Sequence, residues 1–188
     1  MPIRSLLNNN RKKYRYPWRP GGHYQLLIDG PQFFPVMMDA IDAAENFICL
    51  ETYLMESGNI TDRFITALIT ARQRGVKVFI LLDDYGSHYL NTMDRQRLWE
   101  AGVQLAFYNP ASLRKFYQSM NRDHRKLLLV DDKLAFVGGA GITDDFMHPT
   151  HSVMNWHEVM LKVEGPAILD WFDLFSRTWH EATRTPCP

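Results

Sequence analysis

The stretch VKVFILL, residues 76–82, is apolar at every position except Lys77. A run this short and continuous reads as a strand buried on both faces, since a half-exposed strand would alternate. Such a strand needs packing partners above and below its sheet, and the flanking sequence supplies them. In ITDRFITALITARQRG, residues Ile60, Phe64, Leu68 and Ala71 recur at helical spacing, Thr61 is a candidate cap and Gly75 a terminator. Residues 90–101 read as another helix, ending at Gly102. HYQLLI and NFICLETYL read as strands around a helix over residues 31–45, opened by Pro31 and with Pro35 near its first turn. VQLAFY is a further strand. HRKLLLV, DDK and LAFVGG together read as a β-hairpin, and HEVMLKVEG as another strand. PAILDWFDLFSRTWHEA closes the chain as an amphipathic helix starting at Pro166. The predicted fold class is α/β, a mixed β-sheet flanked by helices, the hairpin being what makes the sheet mixed.

A chain of 188 residues predicts one domain, placed at residues 21–184, with a basic, flexible segment over 1–20 and a tail over 185–188. Equal numbers of basic and acidic residues, 21 each, give no overall field for holding nucleic acid, so nucleic acid is not the expected partner. Cys49 sits in an apolar run and Cys187 one residue from the end, so no disulfide is expected. No apolar stretch approaches the roughly 20 residues that span a bilayer, and no signal peptide is evident. Residues 1–20 carry Arg4, Arg11, Lys12, Lys13, Arg15 and Arg19 without an acid, interleaved with Tyr14, Tyr16 and Trp18. That composition reads either as a solvated tail or as a contact for anionic lipid headgroups.

RDHRKLLLVDD, residues 122–132, holds the chemistry. On a strand, His124 and Lys126 point the same way, whereas Asp131 has the opposite parity and opens the turn. A neutral imidazole is a nucleophile near pH 7, and an ammonium stabilises the charge gained by phosphoryl oxygens under attack. By itself the His-x-Lys spacing is common on surface strands.

The flanks narrow the reading. HRKLLLVDDKLAFVGGAGITDDF, about residues 118–145 with its approach, resembles the HxKxxxxD signature of the phospholipase D superfamily. LLIDGPQFFPVMMDAIDAAENFICLETYL, ALITARQRGVKVFILLDDYGS, LWEAGVQLAFYNP and NWHEVMLKVEGPAILDWFDLFSRTW resemble, in order, the N-terminal half of bacterial cardiolipin synthases. The resemblance implies His124 as nucleophile or its partner acid, Lys126 as phosphate ligand and Asp131 as an orienting group. Gly138 and Gly139 would let the backbone approach the phosphate. It implies no metal and no cofactor.

Two departures from the family pattern stand out: Gly141 replaces a polar side chain, commonly Asn, for which Thr143 is a candidate substitute, and Glu158 replaces Asp. Glu51, between apolar neighbours, reads either as paired with a cation of the cleft such as His124 or Lys126, or as an edge position reaching solvent. Arg114, Lys115, Arg122 and Arg125, with Phe116, Tyr117 and Met120, form either a solvated loop or a basic, aromatic lip that would meet phospholipid or, equally, nucleic-acid phosphates. His148, His151 and His157 fit no standard metal spacing.

The family's mechanism uses two such motifs face to face, and this chain holds one. His23, His88, His148, His151, His157 and His180 are followed two residues on by Gln, Leu, Thr, Val, Val and Ala. The second motif is expected from a C-terminal region of a longer enzyme or from a second copy. The implied activity is phosphatidyl transfer through phosphohistidine at His124, with anionic phospholipid such as phosphatidylglycerol as substrate. The implied location is peripheral, on the cytoplasmic side of the membrane. A homodimeric phosphodiesterase or nuclease, and a non-catalytic phosphate- or lipid-binding half-domain, are the alternatives.

Overall fold

The computed structural model describes residues 16–110, 122–147 and 157–187. The elements run β1 (His23–Ile28), α1 (Gly30–Asp42), β2 (Phe47–Thr52), α2 (Asn59–Gln73), β3 (Lys77–Asp83), α3 (Thr92–Glu100), β4 (Gln104–Tyr108), β5 (Lys126–Val130), β6 (Leu134–Gly138), β7 (Val159–Glu164) and α4 (Ile168–Thr183). The strands form one sheet in the order β1-β7-β6-β5-β2-β3-β4. β2, β3 and β4 are parallel, joined by helices, as parallel neighbours require. β5 runs antiparallel to β2 at the sheet centre, and β6, β7 and β1 continue antiparallel. The fold is therefore α/β with a mixed sheet.

Period-two alternation divides the core into two layers. Ile48, Leu50, Val78, Ile80, Leu82, Leu128 and Val130 face α1, α2 and α3, meeting Phe33, Phe34, Ile41, Phe64, Leu68 and Leu98. Cys49, Phe79, Leu81, Leu127 and Leu129 face α4, meeting Ile168, Phe175 and Trp179. β3 and β5 are covered on both sides, which is why their sequences are apolar almost without interruption. Each buried large aliphatic side chain contributes about 2 kcal/mol relative to exposure.

Three local expectations change. Pro35 lies inside α1, past the first turn. Thr61 does not cap α2; its hydroxyl donates to the carbonyl of Ile142, and to that of Glu56. The N-terminal amides of α2, Asn59 and Ile60, instead reach the carboxylate of Asp144 at 2.9 and 2.6 Å. The segment placed outside the domain is partly anchored: Tyr16 donates to Asp173 at 3.0 Å, and Arg19 makes a two-pronged pair with Asp170 at 3.0 and 2.8 Å. Its residues 1–15, the lip residues 114–120, His148 and His151 lie outside the described residues.

Candidate active site

The pairing of Thr52 with Lys126 brings the C-terminal end of β2 to the start of β5. Gly138 pairs with Met160, so the end of β6 and the start of β7 lie at that same end of the sheet. His124 stands two residues before the ladder, which begins at Lys126 rather than at the histidine. It is held from both sides by backbone. Asp83, 1% exposed at the end of β3, accepts from the Asp123 amide at 3.0 Å and from the Tyr85 and Gly86 amides at 3.0 Å each. The Tyr53 amide donates to the Arg125 carbonyl at 3.2 Å.

The side chains of His124 and Lys126 meet. Lys126 Nζ lies 3.2 Å from His124 Nδ1 and donates to the His124 carbonyl at 2.8 Å. The imidazole stacks on Tyr53, ring centroids 4.2 Å apart and planes 29° apart, and Lys126 Nζ lies 5.1 Å from the centre of that same ring. His124 is exposed. Burial lowers the Lys126 ammonium from its usual value, opposed by the carboxylates of Glu158, Asp123 and Asp83.

Asp131 lies at the other end of β5, seven residues of nearly extended chain from His124, roughly 20 Å. Its φ is 52°, and its carboxylate accepts from the amides of Glu45, Asn46 and Phe47 at 3.1, 2.8 and 2.9 Å. Burial would raise this carboxyl, but the three amides together hold it below its usual value. It binds the start of β2 to the end of β5 and touches nothing near the histidine end.

Glu51 does not pair with His124 or Lys126. It faces α4, is fully buried, and receives Arg125 Nε and Nη2 on one oxygen at 3.1 and 2.8 Å. The parity explains this: Glu51 pairs with Leu127, on the α4 side of the sheet, and Lys126 lies on the other side. Arg125 also donates to Thr178 of α4. Burial and the neighbouring Asp123 carboxylate push the Glu51 carboxyl well above its usual value, against the pull of Arg125.

The glycines have steric reasons. A Cβ on Gly138 would stand 2.1 Å from the Val159 carbonyl oxygen, and one on Gly139 would stand 2.0 Å from a Glu158 carboxylate oxygen. A side chain on Gly141 would meet the Leu54 carbonyl and Cβ at 2.7 Å each, because Ile142 hydrogen-bonds that carbonyl at 2.9 Å. Thr143 is 4% exposed, and its hydroxyl donates to Glu56 at 3.0 Å. His157 pairs with Asp29 at 3.0 Å. Among the described residues no three potential ligands gather in a way that could hold a metal.

Tyr53 and Asp83 are the residues that sequence reasoning missed. Asp83 had a signal, a carboxylate ending an otherwise apolar, doubly covered strand. Tyr53 had none locally, because its relation to His124 exists only across the β2–β5 pairing.

A family profile described as "Cardiolipin synthase, PLD-like domain" matches residues 37–179. Cardiolipin synthase B of Salmonella typhimurium is 37% identical over 155 residues, covering 81% of this chain and 37% of that protein. Cardiolipin synthase of Clostridium perfringens is 30% identical over 181 residues, covering 96% of this chain and 37% of that one. The chain thus spans little more than a third of the length of these relatives. Among solved structures, Nuc of Salmonella typhimurium, a phospholipase D family member, superposes with a TM-score of 0.62 at 17% identity, over 86% of this chain and 97% of Nuc. Phosphatidylserine synthase of Haemophilus influenzae superposes with a TM-score of 0.64 at 13% identity, over 82% of this chain and 36% of that one. These two likenesses concern the fold.

Proposed function

Because the chain belongs to the phospholipase D-like domain family of cardiolipin synthases, we propose that it supplies one half of a phosphatidyltransferase site. His124 Nε2 attacks the phosphorus of an anionic phospholipid such as phosphatidylglycerol. The P–N bond forms, the P–O bond to the headgroup alcohol breaks, and that alcohol takes a proton from the histidine of the second half. An acceptor lipid alcohol then gives that histidine its proton and attacks phosphorus, breaking the P–N bond. Water as acceptor gives hydrolysis. The second half comes from a C-terminal region of a longer enzyme or from another copy. Catalysis takes place at the surface of the membrane, on its cytoplasmic side, and needs neither metal nor cofactor.

The observation that carries this reading is the imidazole–ammonium pair at an exposed strand end, with Lys126 Nζ 3.2 Å from His124 Nδ1. While Lys126 donates to Nδ1, the ring proton sits on Nε2. A bound phosphate draws the ammonium to its own oxygens, and Nδ1 can then take the proton and leave Nε2 free to attack. Lys126 is in this way both phosphate ligand and tautomer control. Asp131 orients β5, and Gly138 and Gly139 form the floor by backbone alone.

The test is turnover of phosphatidylglycerol vesicles by the purified chain, with His124→Asn as control and cardiolipin plus glycerol as readout. Cardiolipin from the wild type alone supports transfer by paired copies. Phosphatidic acid alone points to a phosphodiesterase. Activity undiminished in His124→Asn would overturn the assignment.

A further inference from the structure

The connection from β3 to α3 leaves the sheet at the catalytic end, since Leu82 pairs with Thr52 and Thr52 with Lys126. It is fastened there against the histidine's own supports. The Asp83 carboxylate that accepts from the Tyr85 and Gly86 amides also holds the Asp123 amide, next to His124. The Ser87 hydroxyl donates to the Tyr53 carbonyl at 3.0 Å and accepts from the Met55 amide at 3.2 Å. A Cβ on Gly86 would stand 2.2 Å from the Tyr53 carbonyl oxygen and 2.9 Å from its ring, so the backbone passes directly against the ring that stacks on His124.

A connection held this firmly nevertheless turns apolar surface to water. Tyr85, Tyr89 and Met93, the last in the first turn of α3, are 65, 63 and 75% exposed. Single exposed apolar side chains are ordinary, but a joined surface calls for a partner. Here His88 joins the two tyrosines: its ring centroid lies 6.0 Å from that of Tyr85 and 3.7 Å from that of Tyr89, and its Nδ1 lies 2.7 Å from the Tyr85 carbonyl oxygen. Arg122 stands over the Tyr85 ring, 5.4 Å from its centre.

We propose that this aromatic rim is a membrane-contact surface, with Tyr85 and Tyr89 entering the headgroup layer of a phospholipid bilayer beside His124. The inference rests on the reading of His124 as the group that attacks a phospholipid phosphorus. That phosphorus stays in the headgroup plane of the bilayer. The imidazole must therefore reach that plane, and the exposed side chains beside it meet the same plane.

The residue types suit that depth. A tyrosine places its ring among the glycerol and upper acyl groups and keeps its hydroxyl in water. The unbranched thioether of Met93 adapts to an irregular apolar surface. Arg122 and Asp84 offset one another in charge at the rim, so the contact is mainly apolar. Such a contact keeps its hold in salt, whereas a groove that gripped nucleic-acid phosphates would lose it.

The experiment is co-sedimentation of the full chain with vesicles of phosphatidylglycerol and phosphatidylcholine at about 0.5 M salt, where screening weakens the pull of the basic residues 1–20 on anionic lipid. The double variant Tyr85→Ser/Tyr89→Ser should lower vesicle affinity roughly tenfold or more, with an unchanged melting point because both side chains are exposed. Tyr85→Phe/Tyr89→Phe should keep wild-type binding. Trp99→Ser, at an exposed aromatic near the far end of α3, should leave binding unchanged, as should His124→Asn. A wild type that does not sediment with vesicles, a serine double variant that binds them as tightly as wild type, or a loss confined to single-stranded oligonucleotide binding would each overturn the proposal. Binding is read without turnover, so the two readings fail separately: turnover intact in His124→Asn overturns the phosphatidyl-transfer assignment, and vesicle binding indifferent to the tyrosines overturns the rim.

Discussion

Asp131→Ala removes the acceptor for three backbone amides and leaves alanine at φ 52°. A hydrogen bond to a charged group is worth about 1.5–3 kcal/mol, but the three share one carboxylate and do not add. Glu45 and Asn46 are exposed, so water replaces part of what their amides lose, and only Phe47 is half-buried. We assign about 2 kcal/mol to the lost acceptor and about 1 kcal/mol to the left-handed backbone, which asparagine tolerates and alanine does not. The expected loss is about 3 kcal/mol for Asp131→Ala and about 1–2 kcal/mol for Asp131→Asn. With a urea slope of about 2 kcal/mol/M, the alanine midpoint falls by roughly 1.5 M. The pH dependence identifies the cause. The folded carboxyl is depressed, so its stabilisation is complete above the unfolded value of about 4 and is lost as pH falls through the lower folded value. The gap between wild type and Asp131→Asn should therefore shrink below about pH 4. Urea unfolding at pH 7 and at pH 3 checks this. An alanine variant as stable as wild type at pH 7, or an asparagine gap undiminished at pH 3, would refute the reasoning. Folded Asp131→Asn should keep most of its turnover, since the carboxylate lies roughly 20 Å along the chain from the histidine.

Tyr53→Leu should cost under about 1 kcal/mol in urea unfolding, yet slow turnover roughly tenfold and shift the His124 ring signals in NMR, because the stacked face is lost. Gly138→Ala should lower stability by about 2–3 kcal/mol, read by thermal melting, since the clash is with the Val159 backbone. In Gly139→Ala the obstacle is the flexible end of Glu158, so the melting point should hold while the environment of Lys126 changes. Glu51→Gln should flatten stability against pH: the raised folded carboxyl favours the fold at low pH, and wild type loses that as pH climbs past the ordinary carboxyl range.

The layers were readable because burial writes directly into period: VKVFILL could only be a doubly covered strand, and the helix over 60–75 showed its apolar stripe. The pairing of His124 with Lys126 was legible for the same reason, being a relation two residues long. What escaped was every partner chosen by tertiary contact. Thr61 looked like a cap because capping residues sit at that offset, but Asp144 arrives from another loop to take the amides. Glu51 was expected to pair with His124 or Lys126, but parity along β5 hands it Arg125 instead. Tyr53 gave no sign, since aromatic residues end many strands.

The alternation of Arg125 and Lys126 also sets which strand registers the chain can adopt. Sliding β5 by one residue against β2 would turn Leu128 and Val130 toward α4, where apolar neighbours would still accept them, so hydrophobicity alone discriminates poorly between the two alignments. The guanidinium is less forgiving. A slipped strand would carry it away from Glu51 and Thr178 into the aliphatic layer under α1 and α2, leaving a buried carboxyl and a misplaced cation, a penalty of several kcal/mol. Arg125 thus acts as a key cut for a single alignment, and the histidine inherits its position from a neighbour whose side chain turns to the α4 face.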